Sequence, residues 1–228
     1  MLYNYQAVRD NIRNREGKRV FYLAKGDQMT SDARDYLLRE RIAILSPEQA
    51  KVEEFAVLGG GFCREKPEHM THLDAQVLVP KTHPRIAFRG AIDMLEAELL
   101  LCQSIADALV YDWLQQALDM ARVLIRCDVL GESVPEMKLD GMSQEQLRSR
   151  SHTPQKYYSQ SHFMPCGKDG KVLLQVNRAR CAARQAELLA VQAFADRDGN
   201  PTRPDILQAL NRLSSFLYII MIQLKAKQ

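Results

Sequence analysis

Arg180, Arg184 and Glu187 stand at i, i+4 and i+7 of a helical pattern, which puts two guanidinium groups and a carboxylate on one face. Arg178 falls well round the helix from them. Guanidinium forks match phosphate oxygens, and a second fork one turn along holds a polyphosphate that a single one holds loosely. The same spacing also makes an ordinary solvated ion-pair row, so both readings stand on spacing alone. A second cluster, Asn211-Arg212-Leu213-Ser214-Ser215, interrupts the apolar series Leu207, Leu210, Leu213, Phe216, Leu217 and Ile220. A helix with that stripe cannot turn all four polar residues to water without breaking it, although serines bonded back to their own helix are the plain alternative. Third, Lys81 stands just before Pro84, a residue suited to a helix entry, and a lysine beside free helix amides can help bind an anion.

These groups are placed by long helical patterns. The series Ile92, Leu95, Leu99 and Cys102 predicts an amphipathic helix from Phe88 to about Leu109, and Trp113 to Ile125 predicts a second over Val110 to Leu130. Lys171 to Ala195 and Pro204 to Lys225 are two more, separated by Asp196-Arg197-Asp198-Gly199-Asn200-Pro201. Residues 131–170 are polar and broken by Gly and Pro, with one short helix over Ser143 to Arg150, and form a candidate lid or substrate loop. The first part of the chain differs. Arg19 to Leu23 and Ile42 to Leu45 are β-type runs flanking a helix from Thr30 to about Arg41, a strand-helix-strand unit. Between Ser46 and Lys81 the period is lost around Gly59-Gly60-Gly61, Pro67 and Pro80, leaving a connector with one helical turn near Glu48 to Phe55. The expected organisation is an extension over 1–47, a connector over 48–80 and a helical bundle over 81–228.

The 228 residues suffice for a buried core, and 46% hydrophobic with 26% charged residues excludes a disordered chain. Thirty-one Lys and Arg against 28 Asp and Glu leave a formal charge of +3, so anion binding must be local and a nucleic-acid partner is disfavoured. Cys63, Cys102, Cys127, Cys166 and Cys181 are odd in number and form no CxxC pair, which argues for reduced thiols and a cytoplasmic protein. The opening residues lack a signal-peptide pattern, and the apolar run Phe216 to Ile222 is too short to cross a bilayer.

Taken together and in order, Pro80-Lys81, the Gly90-to-Asp93 element, the Arg180-Arg184-Glu187 face and Asn211-Arg212-Leu213-Ser214 resemble the ATP:cob(I)alamin adenosyltransferases. The likeness extends to the ethanolamine-utilisation branch through Thr71-His72-Leu73, His83 to Gly90 and Thr30 to Arg34; it covers residues 69–228 and, more loosely, 19–45. It implies an all-α bundle of about five helices with a small N-terminal α+β extension. The active sites would lie at subunit interfaces of a homo-oligomer. It further implies transfer of the 5′-deoxyadenosyl group of ATP, with Mg2+, to the cobalt of reduced cobalamin. Carried over, Lys81, Arg180 and Arg184 contact phosphate, Glu187 is the acid that follows them, and Asn211 belongs to the terminal-helix motif. An aromatic residue that displaces the axial ligand of cobalt would be Phe163, in Ser161-His162-Phe163-Met164-Pro165; its alternative is a buried loop anchor.

The chain also departs from the family. A Gly- and Thr-rich nucleotide loop is not recognisable around Met70 to Val79, and Ser215 replaces a carboxylate that would orient an arginine. Cys63, His69 and His72 remain where some members carry a His and paired-Cys cluster, so no bound metal is expected. The resemblance implies a flavoprotein electron donor and a microcompartment association; from charge and hydropathy neither nucleic acid nor membrane is expected as partner. A non-catalytic corrinoid-carrying or microcompartment assembly module is the alternative function.

Overall fold

Val20 and Phe21, the only buried residues of the run Lys18–Tyr22, make it an inner strand rather than a surface one. A computed structural model describes residues 1–15, 18–46 and 55–228. The chain divides into two units, Met1–Ala56 with Gly60–Glu65 and Val57–Gly59 with Lys66–Gln228.

In the first unit β1 (Leu2–Tyr3) leads into α1 (Tyr5–Asp10), which Asn4 caps by accepting from the Ala7 amide at 2.9 Å. Next come β2 (Arg13–Arg15), β3 (Lys18–Tyr22), β4 (Gln28–Met29), α2 (Ser31–Arg39) and β5 (Ala43–Leu45). β3 pairs with β5 in parallel, Val20 opposite Ala43, and a parallel pair needs a crossover, which α2 supplies. This is the expected strand-helix-strand unit, enlarged by the β1–β4 pair and by β2 against β3. Val8, Phe21, Ala33, Leu37 and Ile42 form its core, with Tyr3 edge-on to Phe21 at 5.3 Å.

The expected connector contains strands. β6 (Phe55–Val57) and β7 (Phe62–Cys63) are antiparallel, Phe55 opposite Cys63. Gly59, Gly60 and Gly61 turn between them at φ 98°, 119° and 91°, a conformation open chiefly to glycine. β8 (Met70–His72) and β9 (Val77–Pro80) form another antiparallel pair, closed by Asp74 Oδ1 accepting from Gln76 and Val77 amides at 3.1 and 3.0 Å. Strands of two to four residues are too short to carry a visible period. The helical turn expected near Glu48 to Phe55 lies outside the described residues.

The second unit is the bundle: α3 (Pro84–Gln103), α4 (Ala108–Leu130), α5 (Gln144–His152), α6 (Pro154–Tyr158), α7 (Lys171–Ala193) and α8 (Pro204–Ala226). The first long helix ends at Gln103, six residues before the expected Leu109, because Asp107 starts the next by accepting from the Val110 amide at 2.9 Å. Ser143 and Gln146 close a capping box on α5, and Gly131 at φ 69° ends α4. α6, entered by Pro154, went unpredicted because one and a half turns show no periodicity.

α7 owes its central place to small residues. Ala179, Ala183, Ala186 and Ala190 recur every three or four positions and are all buried, which lets α3 and α8 approach closely on two sides. Phe88 near the start of α3 meets Phe194 just past the end of α7 at 5.3 Å, while Cys102 Sγ at the other end lies 3.9 Å from the Val172 carbonyl. α3 and α7 are therefore antiparallel. α8 is long and apolar enough by composition to cross a membrane. Here Ile206, Leu210, Leu213, Leu217 and Ile220 are all buried in the bundle core, each worth about 1.5–3 kcal/mol.

Candidate functional site

Where α7 and α8 lie side by side, their polar faces open into a cavity of about 750 Å3. α7 contributes Arg180 and Arg184, α8 contributes Asn211 and Tyr218, and the loop after α6 contributes His162 and Phe163. The polar cluster of α8 is resolved in detail. Ser214 and Ser215 hydroxyls both donate back to the Asn211 carbonyl at 3.0 and 3.1 Å, so the helix itself satisfies them. Asn211 Nδ2 donates to Glu187 Oε1 at 3.0 Å. A carboxylate only accepts, so this bond fixes the amide orientation and leaves Asn211 Oδ1 to accept from a ligand.

Arg180 and Arg184 have no ion pair among the described residues; the Arg180 guanidinium instead lies 5.1 Å from the centre of the Tyr218 ring. Arg178, one face away as expected, is neutralised by the buried Glu98 of α3 at 2.8 Å. The loop carrying Phe163 is pinned at its far end. Asp169, buried, accepts from the Cys166 amide at 2.6 Å and from Lys225 Nζ at 2.7 Å, and Gln228 Nε2 donates to its carbonyl at 2.7 Å. The Lys225 bond, then the Cys166 amide, holds the Asp169 carboxyl below its usual range. Lys225 Nζ also stands 6.0 Å from the Phe163 ring centre, so that ring is a half-buried wall of the cavity.

The structure thus brings Phe163, Arg180, Arg184 and Asn211 around one cavity, with Glu187 bonded behind Asn211. Lys81 is not among its lining residues. Its Nζ pairs with Glu68 at 3.1 Å on the surface, and it precedes the α3 start that packs at Phe194. Phe194 lies ten residues beyond Arg184, about 15 Å of helix. Within one chain the lysine therefore belongs to a different end of the bundle.

Sequence reasoning missed two cavity features. Tyr218 is seven residues after Asn211, on the same face, but an aromatic residue in an apolar helix reads as core. His162 stood beside Phe163 without a role. Arg212, named in the polar cluster of the last helix, is not among the lining residues; it is only 9% exposed and makes no hydrogen bond or ion pair to any described residue. Burial lowers its pKa, the nearby Arg148 lowers it further, and Glu187 opposes them. Its signal was a cation in the middle of a buried stripe.

The remaining reactive groups are quiet. All five cysteines are free, and burial pushes the Cys102 thiol up to about 12. Among the described residues no three His, Cys, Asp or Glu side chains gather as a metal centre.

Residues 62–224 match the sequence profile of a family described as cobalamin adenosyltransferase. The corrinoid adenosyltransferase EutT of Escherichia coli strain K12 is 36% identical over 170 residues, which are 73% of this chain and 64% of that protein. EutT of Salmonella typhimurium strain LT2 is 35% identical over 169 residues, 72% of this chain and 63% of that protein. The match therefore spans a little under two thirds of the length of these relatives. Among solved structures, a variant PduO-type ATP:co(I)rrinoid adenosyltransferase from Lactobacillus reuteri, complexed with ATP, is similar at a TM-score of 0.50 and 18% identity, covering 69% of this chain and 90% of that one. The last likeness is one of fold.

Proposed function

We infer the activity from one premise: the chain belongs to the cobalamin adenosyltransferase family, and within it to the branch of the EutT enzymes. On that premise the protein transfers the 5′-deoxyadenosyl group of ATP to the cobalt of a reduced corrinoid, in the service of ethanolamine utilisation. The electron pair of cobalt(I) attacks the ribose C5′, a cobalt–carbon bond forms, and the C5′–oxygen bond breaks. Triphosphate leaves with the pair from that bond, and no general base is needed. The work left to the protein is alignment and neutralisation of charge on the departing oxygen. Arg180 and Arg184, free of carboxylate partners among the described residues, suit that work, and Asn211 Oδ1 suits a donor on the nucleoside.

Magnesium fits this donor set in a limited way. Glu187 has one oxygen engaged by Asn211 and one left over, a single hard ligand for an ion that otherwise keeps phosphate oxygens and water. Magnesium carried on the triphosphate would supply further positive charge there. On the corrin side, the Phe163 ring offers no donor atom, so a corrinoid packed on it loses its lower axial ligand. That eases addition of one electron to cobalt(II), supplied by a reduced flavoprotein donor.

Lys81 would enter from a second copy of the chain, which makes the site an interface of a homo-oligomer. Its support is the position of Lys81 just before the start of α3, away from the arginines, and its pairing with one exposed glutamate, which a triphosphate can displace. The division into an extension over 1–47, a connector over 48–80 and a catalytic bundle over 81–228 belongs to the same proposal, as does a cytoplasmic location beside a microcompartment.

The observation that carries this reading is the convergence of Phe163, Arg180, Arg184 and Asn211, from three separate elements, on one cavity. Cobalamin spectroscopy tests it. Cob(II)alamin with ATP is expected to shift to the four-coordinate form and, once reduced, to yield adenosylcobalamin; an unchanged spectrum and no product sink the reading. The place of Lys81 outside the cavity favours a second reading, a corrinoid carrier without catalysis, which would bind cobalamin at equilibrium but no ATP.

A further inference from the structure

Tyr218 stands between the two halves of the cavity and touches both. Its ring lies against the Arg180 guanidinium at 5.1 Å, and its hydroxyl is 2.8 Å from His162 Nδ1. The imidazole and phenol rings are stacked, 10° from parallel with centres 5.8 Å apart. His162 Nε2 is 3.2 Å from the His152 carbonyl oxygen. A carbonyl only accepts, so Nε2 carries a proton, and in the neutral ring Nδ1 accepts the Tyr218 hydroxyl proton. Both imidazole nitrogens are therefore engaged by the protein. Burial raises the Tyr218 pKa, opposed by the adjacent Phe163 amide and Arg180, and this keeps the hydroxyl a donor at neutral pH.

The chain neighbour of His162 is Phe163, so a bond that holds the imidazole also sets where the phenyl ring begins. On the other side, Arg180 is held by a neutral π face. A carboxylate in that place would orient the guanidinium but would also compete with an incoming anion; an aromatic face orients it and leaves its charge available.

Resting on the adenosyltransferase reading above, we propose that Tyr218 is a positioning residue that couples the two substrates. Its ring aims Arg180 at the polyphosphate, and its hydroxyl, through His162, sets the Phe163 ring beneath the corrin. The two functions reside in different atoms of one side chain and can be separated.

The experiment compares Tyr218→Phe, Tyr218→Leu and His162→Ala in the full chain, each with two readouts: KM for ATP with chemically reduced cob(I)alamin, and the fraction of cob(II)alamin that becomes four-coordinate when ATP is bound. Tyr218→Phe keeps the ring, so KM stays within about twofold while the four-coordinate fraction falls several-fold; His162→Ala follows the same pattern. Tyr218→Leu loses the ring as well, and KM rises about 3- to 30-fold, the span of a cation–π contact. A four-coordinate fraction unchanged in Tyr218→Phe and His162→Ala overturns the hydroxyl role, and an unchanged KM in Tyr218→Leu overturns the ring role. Should Tyr218→Leu not fold, the other two variants decide: a KM raised as much as the spectrum is weakened means general disturbance and refutes the coupling. A wild-type protein that forms no adenosylcobalamin removes the activity itself, whereas an active wild type whose variants do not split removes only the role of Tyr218.

Discussion

Two arginine clusters of the bundle differ: the protein neutralises the first, while the second has no ion pair among the described residues. Where α3 begins, the fully buried Asp128 accepts from Arg85 Nε at 2.8 Å and from Arg89 Nε at 2.6 Å, and Arg89 also reaches the Leu73 carbonyl at 2.7 Å. Those bonds tie α3 to the end of α4 and to the turn after β8. At the cavity, Arg180 has an aromatic ring, and Arg184 has no ion-pair partner among the described residues. Both segments resemble the same family, yet the first is a structural clasp and the second is left with charge to give to a ligand. What distinguishes them is the partner, not the residue type.

The largest break in that comparison is Asp128→Asn. It leaves two part-buried guanidinium groups beside a group that no longer compensates them, and about 3–5 kcal/mol of stability should go, read as a fall in the urea midpoint. KM for ATP in the protein still folded should hardly move. Arg184→Ala should do the reverse: an unchanged midpoint, since the side chain is exposed and has no ion pair among the described residues, with kcat/KM for ATP down about 100-fold, which is roughly 2.7 kcal/mol of lost stabilisation. A midpoint lowered as far as in Asp128→Asn would make the two clusters equivalent.

Acid sharpens the contrast within the structural class. Asp205 is held down to about 2, first by Arg203 through bonds of 3.0 and 2.9 Å, and also by the Val134 amide. A carboxyl depressed in the folded state contributes stability above its unfolded value near 4 and loses it as pH falls towards 2. With partial screening that contribution is on the order of 1–2 kcal/mol. The stability gap between wild type and Asp205→Asn should therefore be full at pH 6 and close between pH 4 and 2; a gap constant over that range refutes the ion pair as its source.

Legibility followed length. The four long helices were readable because more than five turns of periodic burial leave a pattern, and Arg180 and Arg184 were readable because helical spacing alone puts them on one face. β6 to β9 were not, since two to four residues hold no period even where the partner strand follows within a few residues. The lysine signal before Pro84 was real as chemistry but silent about place: no spacing rule states that Lys81 falls beside Glu68 rather than beside the arginines. Tyr218 and His162 were hidden for another reason, because their meaning comes from contact with each other across 56 residues.

The smallest effect concerns Arg212, which lies in the buried stripe of α8 next to the cavity residue Asn211 without lining the cavity itself. Arg212→Met keeps the length and removes a guanidinium that burial and the nearby Arg148 both disfavour. Because no bond to a described residue is lost, stability should hold or rise by up to about 1 kcal/mol, a melting temperature higher by a few degrees. KM for ATP should rise only a few-fold, because Arg180 and Arg184 remain. A gain in stability with a loss in binding is the mark of a cation kept for a ligand. A melting temperature that drops by several degrees would instead place Arg212 with Arg85 and Arg89, as a cation the fold itself requires.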